Sequence, residues 1–315
     1  MEETQNKNGL LVFLLLVFSL EAILFSLGNV KLDFLAVEKE RKIKDTQTIL
    51  DGLPIIAKAL SVYDATENLK IYGKNDEEAL PLASLAKTMT VSVALVGRDN
   101  GEMIYLSGEA VKQVGDFGLL AGEKWKLGDL AKLTLIVSAN DGAYALSGGT
   151  PSFLEKMNIK ARKIGMEHTL FLNPTGLDIL DKTTSLPVQA GAFASVADAN
   201  IMALYALLSR PEIFSVTTQP ELNLNSESGF SHNFKNTNII LDKIPNLLFS
   251  KTGFTELAGG NLTIIFLNKQ GHKIAVTLMG STFEERFSDM EKIVEVLYNA
   301  EYGSTFDELS IYNAN

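Results

Sequence analysis

Two apolar runs, residues 261–267 and 273–279, are joined by the turn Asn268-Lys269-Gln270-Gly271. Each is strand-length and short for a helix, and the Asn and Gly between them favour a turn. Such a pair closes as an antiparallel hairpin with a helix over one face. A further apolar stretch, 247–250, runs into Lys251-Thr252-Gly253 and puts that triplet on or beside the sheet edge. Near the start, residues 57–63 and 69–72 are mostly apolar and flank the polar turn Asp64-Ala65-Thr66-Glu67-Asn68, a second hairpin signal. Helical patterns lie between: from Ser84 towards Gly97, over 130–137, over 153–166, and over 190–208 with a start near Ser195 and Asp198. Residues 290–298 make a final amphipathic helix, while 115–122 and 170–177 read as loops. Strands that enclose helices in this way indicate an α+β domain.

Composition removes several classes of function. A net charge of −10, with no Lys/Arg stripe interleaved with aromatics, disfavours a nucleic-acid partner. The absence of cysteine excludes thiol catalysis, disulfides and cysteine-based metal sites. The three histidines, His168, His232 and His272, are far apart and in no ligand spacing, so no metal is expected. The single tryptophan, Trp125, reads as a packing residue.

Residues 9–30 are almost wholly apolar, broken by Ser19, Glu21, Ser26 and Asn29. About 20 apolar residues can cross a bilayer. The favoured expectation is an uncleaved N-terminal transmembrane helix; a signal peptide cut near Ser26-Leu27-Gly28 and a buried soluble helix are the alternatives. Lys7 stands against Glu2 and Glu3, so orientation is weakly specified. The expected division is anchor or signal segment 1–30, charge-rich spacer or first exposed helix 31–52, catalytic domain 53–305 and tail 306–315.

Three short motifs carry chemistry. In Pro81-Leu82-Ala83-Ser84-Leu85-Ala86-Lys87-Thr88-Met89-Thr90, Ser84 and Lys87 lie three apart at the mouth of a helix. Residues i and i+3 share a helical face, and the first N–H groups of a helix have no partner inside it. A hydroxyl, an amine to deprotonate it and partial positive charge for an oxyanion thus fall in one segment. Alone, the pair also fits an N-cap serine and a solvated lysine. Ser138-Ala139-Asn140-Asp141 ends a helical run, where Ser138 and Asn140 could share one cleft; a capping pair is the alternative. In Lys251-Thr252-Gly253, Gly253 would let a substrate backbone approach closely; a plain turn is the alternative.

In this order, the three motifs resemble those of penicillin-binding proteins and β-lactamases. Over roughly residues 55–300 the chain resembles the serine D-alanyl-D-alanine carboxypeptidases, the small penicillin-binding proteins. The segments around Ser84, 153–158, Phe171-Leu172-Asn173-Pro174-Thr175-Gly176-Leu177, Asn236-Thr237-Asn238 and Lys251-Thr252-Gly253-Phe254-Thr255 carry the likeness. The resemblance implies a β-lactamase/transpeptidase-like fold: an antiparallel sheet flanked by helices, with a helical subdomain and no cofactor. It implies Ser84 as the nucleophile that forms an acyl-enzyme, Lys87 as a neutral base and Ser138 as a proton relay. It implies that Asn140 binds the substrate amide and the Lys87 side chain, and that the N–H groups of Ser84 and Phe254 form the oxyanion hole. Lys251 and Thr252 would address the substrate carboxylate. Arg286 looks like the family's carboxylate-binding arginine, with a surface ion pair to Glu284, Glu285 or Asp289 as the alternative.

Ala139 stands where the related motif carries Asp. The second β-rich domain of many relatives is expected to be missing, with the N-terminal segment tethering instead. The leading expectation is a membrane-tethered, extracytoplasmic carboxypeptidase acting on peptidoglycan stem peptides and binding β-lactam antibiotics. The alternatives are a DD-endopeptidase, a β-lactamase and an inactive cell-wall binding relative. The loop Asn173-Pro174-Thr175-Gly176 lacks the glutamate expected of a class A β-lactamase.

Overall fold

The computed structural model describes residues 35–115 and 117–301. The expected membrane segment and C-terminal tail lie outside them. Among the described residues, no helix is long and apolar enough to cross a membrane.

In chain order, helix α1 covers 35–51 and is followed by strands β1 (Ala59–Asp64) and β2 (Leu69–Lys74). The longer helices of the next stretch are α2 (Lys87–Ala94), α3 (Leu127–Ile136), α4 (Asn140–Ser147), α5 (Pro151–Lys163) and α6 (Val196–Ser209). Strands β3 (Leu247–Thr255), β4 (Gly259–Leu267) and β5 (Lys273–Ser281) and helix α7 (Glu285–Asn299) finish the domain. The strands form one antiparallel sheet in the order β3-β4-β5-β1-β2, so the N-terminal hairpin joins the C-terminal one through β1 and β5. Strand β3, with Lys251-Thr252-Gly253, is an edge, as its sequence suggests.

Both faces of the sheet are covered, which explains why the central strands read as nearly unbroken apolar runs. Helix α7 buries Phe287, Met290, Ile293, Val294 and Leu297, a three-four spacing that makes one stripe, against Leu262, Ile264, Val276 and Leu278. Leu50 of α1 joins that cluster. The other face carries the larger core, where Met89, Val91, Trp125, Leu133, Met202 and Ala203 meet Phe249, Ile265 and Ala275. Trp125 is a packing residue there, and its indole N–H donates to buried Glu123 at 2.9 Å. Polar groups within the layers are paired. Thr277 donates to Asn200 Oδ1 (2.8 Å), and Asn200 Nδ2 donates to the Ser61 carbonyl (3.2 Å), tying α6 to the sheet.

Helix α6 starts at Val196, beside the Ser195 and Asp198 start that the sequence marks, although the apolar pattern runs back to residue 190. Residues Ala192–Ala194 are a short strand, and Ser195 caps the helix by accepting from Asp198 N–H at 3.1 Å. The cap decides the boundary, because the alanine-rich run continues the pattern without marking a start. Two short antiparallel ribbons, Glu221–Asn225 with Ser231–Lys235 and Ile179–Leu180 with Pro187–Gln189, carry too few apolar residues to be legible beforehand.

The fold fixes a tight turn before α2. Asn261 of β4 donates to the carbonyls of Pro81 (3.0 Å) and Leu82 (3.1 Å), binding the turn to the sheet. Gly176 presses on its other side: at φ +76°, a Cβ there would lie 1.9 Å from the Ala83 carbonyl oxygen. Gly176→Ala should therefore destabilise the domain by about 2–4 kcal/mol, since backbone must move as well as strain be absorbed. Urea unfolding measures this, and an unchanged midpoint would mean the loop can retreat from the turn.

Candidate active site

Ser84 belongs to a single 3-10 turn, Ala83–Ala86, that runs directly into α2 at Lys87. Ala83 adopts φ +50°, a left-handed conformation unusual for alanine. The turn brings Lys87 Nζ to 2.7 Å from Ser84 Oγ. Lys87 is fully buried, and its Nζ also donates to the Thr175 carbonyl at 2.8 Å. That carbonyl is held by the local chemistry of residues 173–177. Asn173 Oδ1 accepts from the Thr175 and Gly176 N–H groups, and Asn173 Nδ2 donates to the Leu177 carbonyl.

Ser138 sits in the break between α3 and α4, at φ +64°. Lys251 Nζ donates to Ser138 Oγ and to the Thr252 carbonyl, each at 2.9 Å. Lys251 is 2% exposed. Two serines are thus each served by a buried lysine: Ser84 by Lys87, Ser138 by Lys251. Residues from positions 84 to 251 converge in one cleft between α2, α4 and the edge strand.

The remaining residues implied by resemblance distribute as follows. Thr252 Oγ1 is 2.6 Å from Thr237 Oγ1, and Asn238 Nδ2 donates to Ser250 Oγ at 2.8 Å, so the segment at 236–238 backs the edge strand. Gly253 packs on the nucleophile turn; a Cβ there would be 3.3 Å from Ser84 N and 3.2 Å from the Leu82 carbonyl oxygen. Arg286, in the first turn of α7, donates to the Gly253 carbonyl at 2.8 Å. The surface ion-pair alternative for Arg286 is corrected here: the residue is 4% exposed, because its guanidinium is stacked between the rings of Phe283 (4.5 Å) and Phe287 (4.6 Å).

The implied bond from Asn140 to Lys87 also needs correction. Asn140 Nδ2 donates instead to the Val114 carbonyl at 2.6 Å, and its Oδ1 is buried with no hydrogen-bond partner among the described residues. Lys87 is engaged by Ser84 and by Thr175, a carbonyl whose part the sequence did not reveal. Its signal was present in the Asn-Pro-Thr-Gly turn, which reads as a turn without saying what it faces. Thr237 and Asp141 went unassigned for the same reason.

The electrostatics depend on buried cations that crowd one another. Burial lowers the Lys87 pKa well below the usual lysine value, Lys251 lowers it further, and Asp141 acts in the opposite direction. Lys251 is lowered to about 7, by burial first and then by Arg286. Arg286 itself is lowered to about 10, by burial, against the attraction of Glu284. Lys87 feels the charge on Lys251, whereas Lys251 feels Arg286. Both amines are thus held below the ordinary lysine range. An amine able to accept a proton and a cation able to hold an anion can therefore coexist in one cleft.

A model of the D-alanyl-D-alanine carboxypeptidase family matches residues 46–282. The chain belongs to that family. Within it, the chain is similar to the D-alanyl-D-alanine carboxypeptidase DacF of Bacillus subtilis, with 29% identity over 255 residues, 77% of this chain and 62% of that protein. It is also similar to a D-alanyl-D-alanine endopeptidase of Pseudomonas aeruginosa, with 30% identity over 221 residues, 66% of this chain and 67% of the relative. The chain thus spans about three-fifths to two-thirds of these family members. Among solved structures, it resembles penicillin-binding protein D2 of Listeria monocytogenes in its ampicillin-bound form: TM-score 0.64, 27% identity, 79% of this chain and 99% of that one. The Streptomyces K15 DD-transpeptidase shares the fold, at a TM-score of 0.68 and 20% identity over 78% of this chain and 98% of that one. The α+β penicillin-binding fold expected from the sequence is therefore present.

Replacing Lys251 gives an electrostatic test. A lysine whose folded pKa is depressed disfavours folding most where both states are protonated, below about 7. That penalty declines as pH rises from there towards the unfolded value near 10.5. Lys251→Met should thus raise Tm by several degrees, with a larger gain at about pH 6 than at about pH 9. Calorimetry at the two pH values checks it; an equal gain at both would mean that Lys251 keeps an ordinary pKa.

Proposed function

We propose that this chain is a serine D-alanyl-D-alanine carboxypeptidase that removes the terminal D-alanine of peptidoglycan stem peptides. The observation that carries this reading is the 2.7 Å contact between a buried, charge-suppressed Lys87 amine and Ser84 Oγ. Neutral Lys87 takes the Ser84 proton as Oγ attacks the carbonyl of the scissile bond. The N–H groups of Ser84 and Phe254 receive the developing oxyanion, worth roughly 3–4 kcal/mol per donor in well-measured cases. Ser138, bonded to Lys251, relays to the departing amine the proton that Lys87 took from Ser84, and the acyl-enzyme on Ser84 is then hydrolysed by water. Lys251, Thr252 and Arg286 hold the free carboxylate of the leaving residue, while Asn140 addresses the substrate backbone after giving up Val114. Gly253 supplies the clearance that lets that backbone lie along the edge strand.

β-Lactam antibiotics are expected to acylate Ser84 by the same steps; the ampicillin and cefotaxime complexes of the Listeria protein support this. The reading extends to location. The apolar segment at 9–30 tethers the catalytic domain outside the cytoplasmic membrane, and α1, within the stretch expected as a spacer or first exposed helix, packs on that domain through Leu50. The endopeptidase named among the relatives favours a second reading, in which the same site cuts crosslinks. Assays on pentapeptide and on crosslinked peptide separate the two.

Intact-mass analysis of the full chain under saturating penicillin should give one adduct, absent in Ser84→Ala. Lys87→Arg should also abolish it, since a guanidinium does not serve as a base at neutral pH. Normal acylation of Lys87→Arg would remove Lys87 from its role.

The acylation rate should follow a bell-shaped pH curve. It rises on the acid side as Lys87 loses its proton and falls on the alkaline side, from about 7, as Lys251 loses its charge. Stopped-flow acylation between about pH 5 and about pH 9 gives the profile, and a rate that climbs steadily to the alkaline end would exclude a charged Lys251 from the step.

A further inference from the structure

Beside Arg286 the cleft carries an aromatic pair that the chemistry above does not use. Phe254 and Phe283 meet edge to face, with ring centroids 5.1 Å apart and planes at 87°. Both are half-open to solvent, at 44% and 49% exposure, next to a guanidinium that is almost fully buried. Phe283 stacks on that guanidinium and Phe254 immediately follows Gly253. The pair is therefore fixed by two contacts rather than free to swing: ring on ring, and ring on cation.

Gly253 sets the scale of what lies against this pair. One side of it touches the Ser84 amide, and its carbonyl accepts from Arg286. A single residue of the edge strand thus lies between the Ser84 amide and the guanidinium. A substrate residue whose acyl bond is at Ser84 and whose carboxylate is at Arg286 spans the same interval. Its Cα lies alongside Gly253 and Phe254, where the Phe254–Phe283 pair offers an apolar surface close by.

We propose that Phe283, braced by Phe254, is the wall met by the side chain of the leaving residue, and that it limits that side chain to about the size of a methyl group. The inference rests on the functional reading above and deepens it, by naming which leaving residues the site accepts. A methyl packs on the ring pair without displacing it. A branched chain must push Phe283 off the guanidinium, losing the stacking and tilting the group that holds the carboxylate. Discrimination by side-chain size at such a wall is typically 10–200-fold per added group.

The test is a peptide series, acyl-D-Ala-D-X with X as alanine, valine or leucine, cleaved by wild type, Phe283→Ala and Phe283→Tyr. The readout is the ratio of kcat/KM for D-alanine over D-leucine within each protein. A general weakening of Arg286 lowers both members and cancels in that ratio, so a merely structural role for Phe283 would not move it. Wild type should favour D-alanine by about 100-fold, Phe283→Ala should shrink the preference by about tenfold or more, and Phe283→Tyr should keep it. If wild type cleaves the D-alanine peptide but the ratio is the same in Phe283→Ala, the wall is refuted while the carboxypeptidase stands. If wild type cleaves no member of the series, the functional reading falls and this inference with it.

Discussion

The structure depends on burying two lysines within one cleft. Lys87 and Lys251 are both almost completely removed from water, and Arg286 lies close behind. A buried charge is strongly disfavoured, and a lysine can relieve the cost by giving up its proton. Lys87 feels the charge of Lys251 and has a serine hydroxyl at hydrogen-bond distance, whereas Lys251 feels Arg286. In the proposed function, what would be a defect in an ordinary core becomes the source of a base at neutral pH.

Such a site survives only because the surroundings leave it little freedom. Ala83 and Ser138, each beside a reacting group, hold left-handed backbone angles that cost of order 1–3 kcal/mol. Both are clamped. The turn at Ala83 is wedged between Gly176 and Gly253 and bonded by Asn261, and the break at Ser138 is spanned by Lys251. The sheet supplies the rigid frame. Its order places β3 at the edge, open to a substrate on one side, while β4 carries the asparagine that anchors the nucleophile turn. Catalytic geometry and fold stability are thus drawn from the same contacts.

Much of this was legible in the sequence, for identifiable reasons. The hairpin at 261–279 and the edge strand show as apolar runs divided by turn residues. The motifs at Ser84, Ser138 and Lys251 show because their chemistry demands particular side chains at fixed intervals. Partners that act through the backbone were not legible. The Thr175 carbonyl holds Lys87, and the Val114 carbonyl takes up Asn140, but a carbonyl leaves no trace in residue identity. Phe283 was equally silent, since an exposed phenylalanine on its own carries no signal until its ring is seen over Arg286. The start of α6 was legible at Ser195 and Asp198, because that pair marks a cap even where an alanine-rich run continues the helical pattern back to 190.

The protonation state of one amine is the core of the account, and it can be observed without substrate. Protein labelled with 13C at lysine Cε, titrated by NMR with Lys87 assigned by loss of its signal in Lys87→Arg, reports that state directly. The account predicts that the Lys87 signal titrates well below the ordinary lysine range. A Lys87 that stays protonated to about pH 10, like a solvent-exposed lysine, would contradict it.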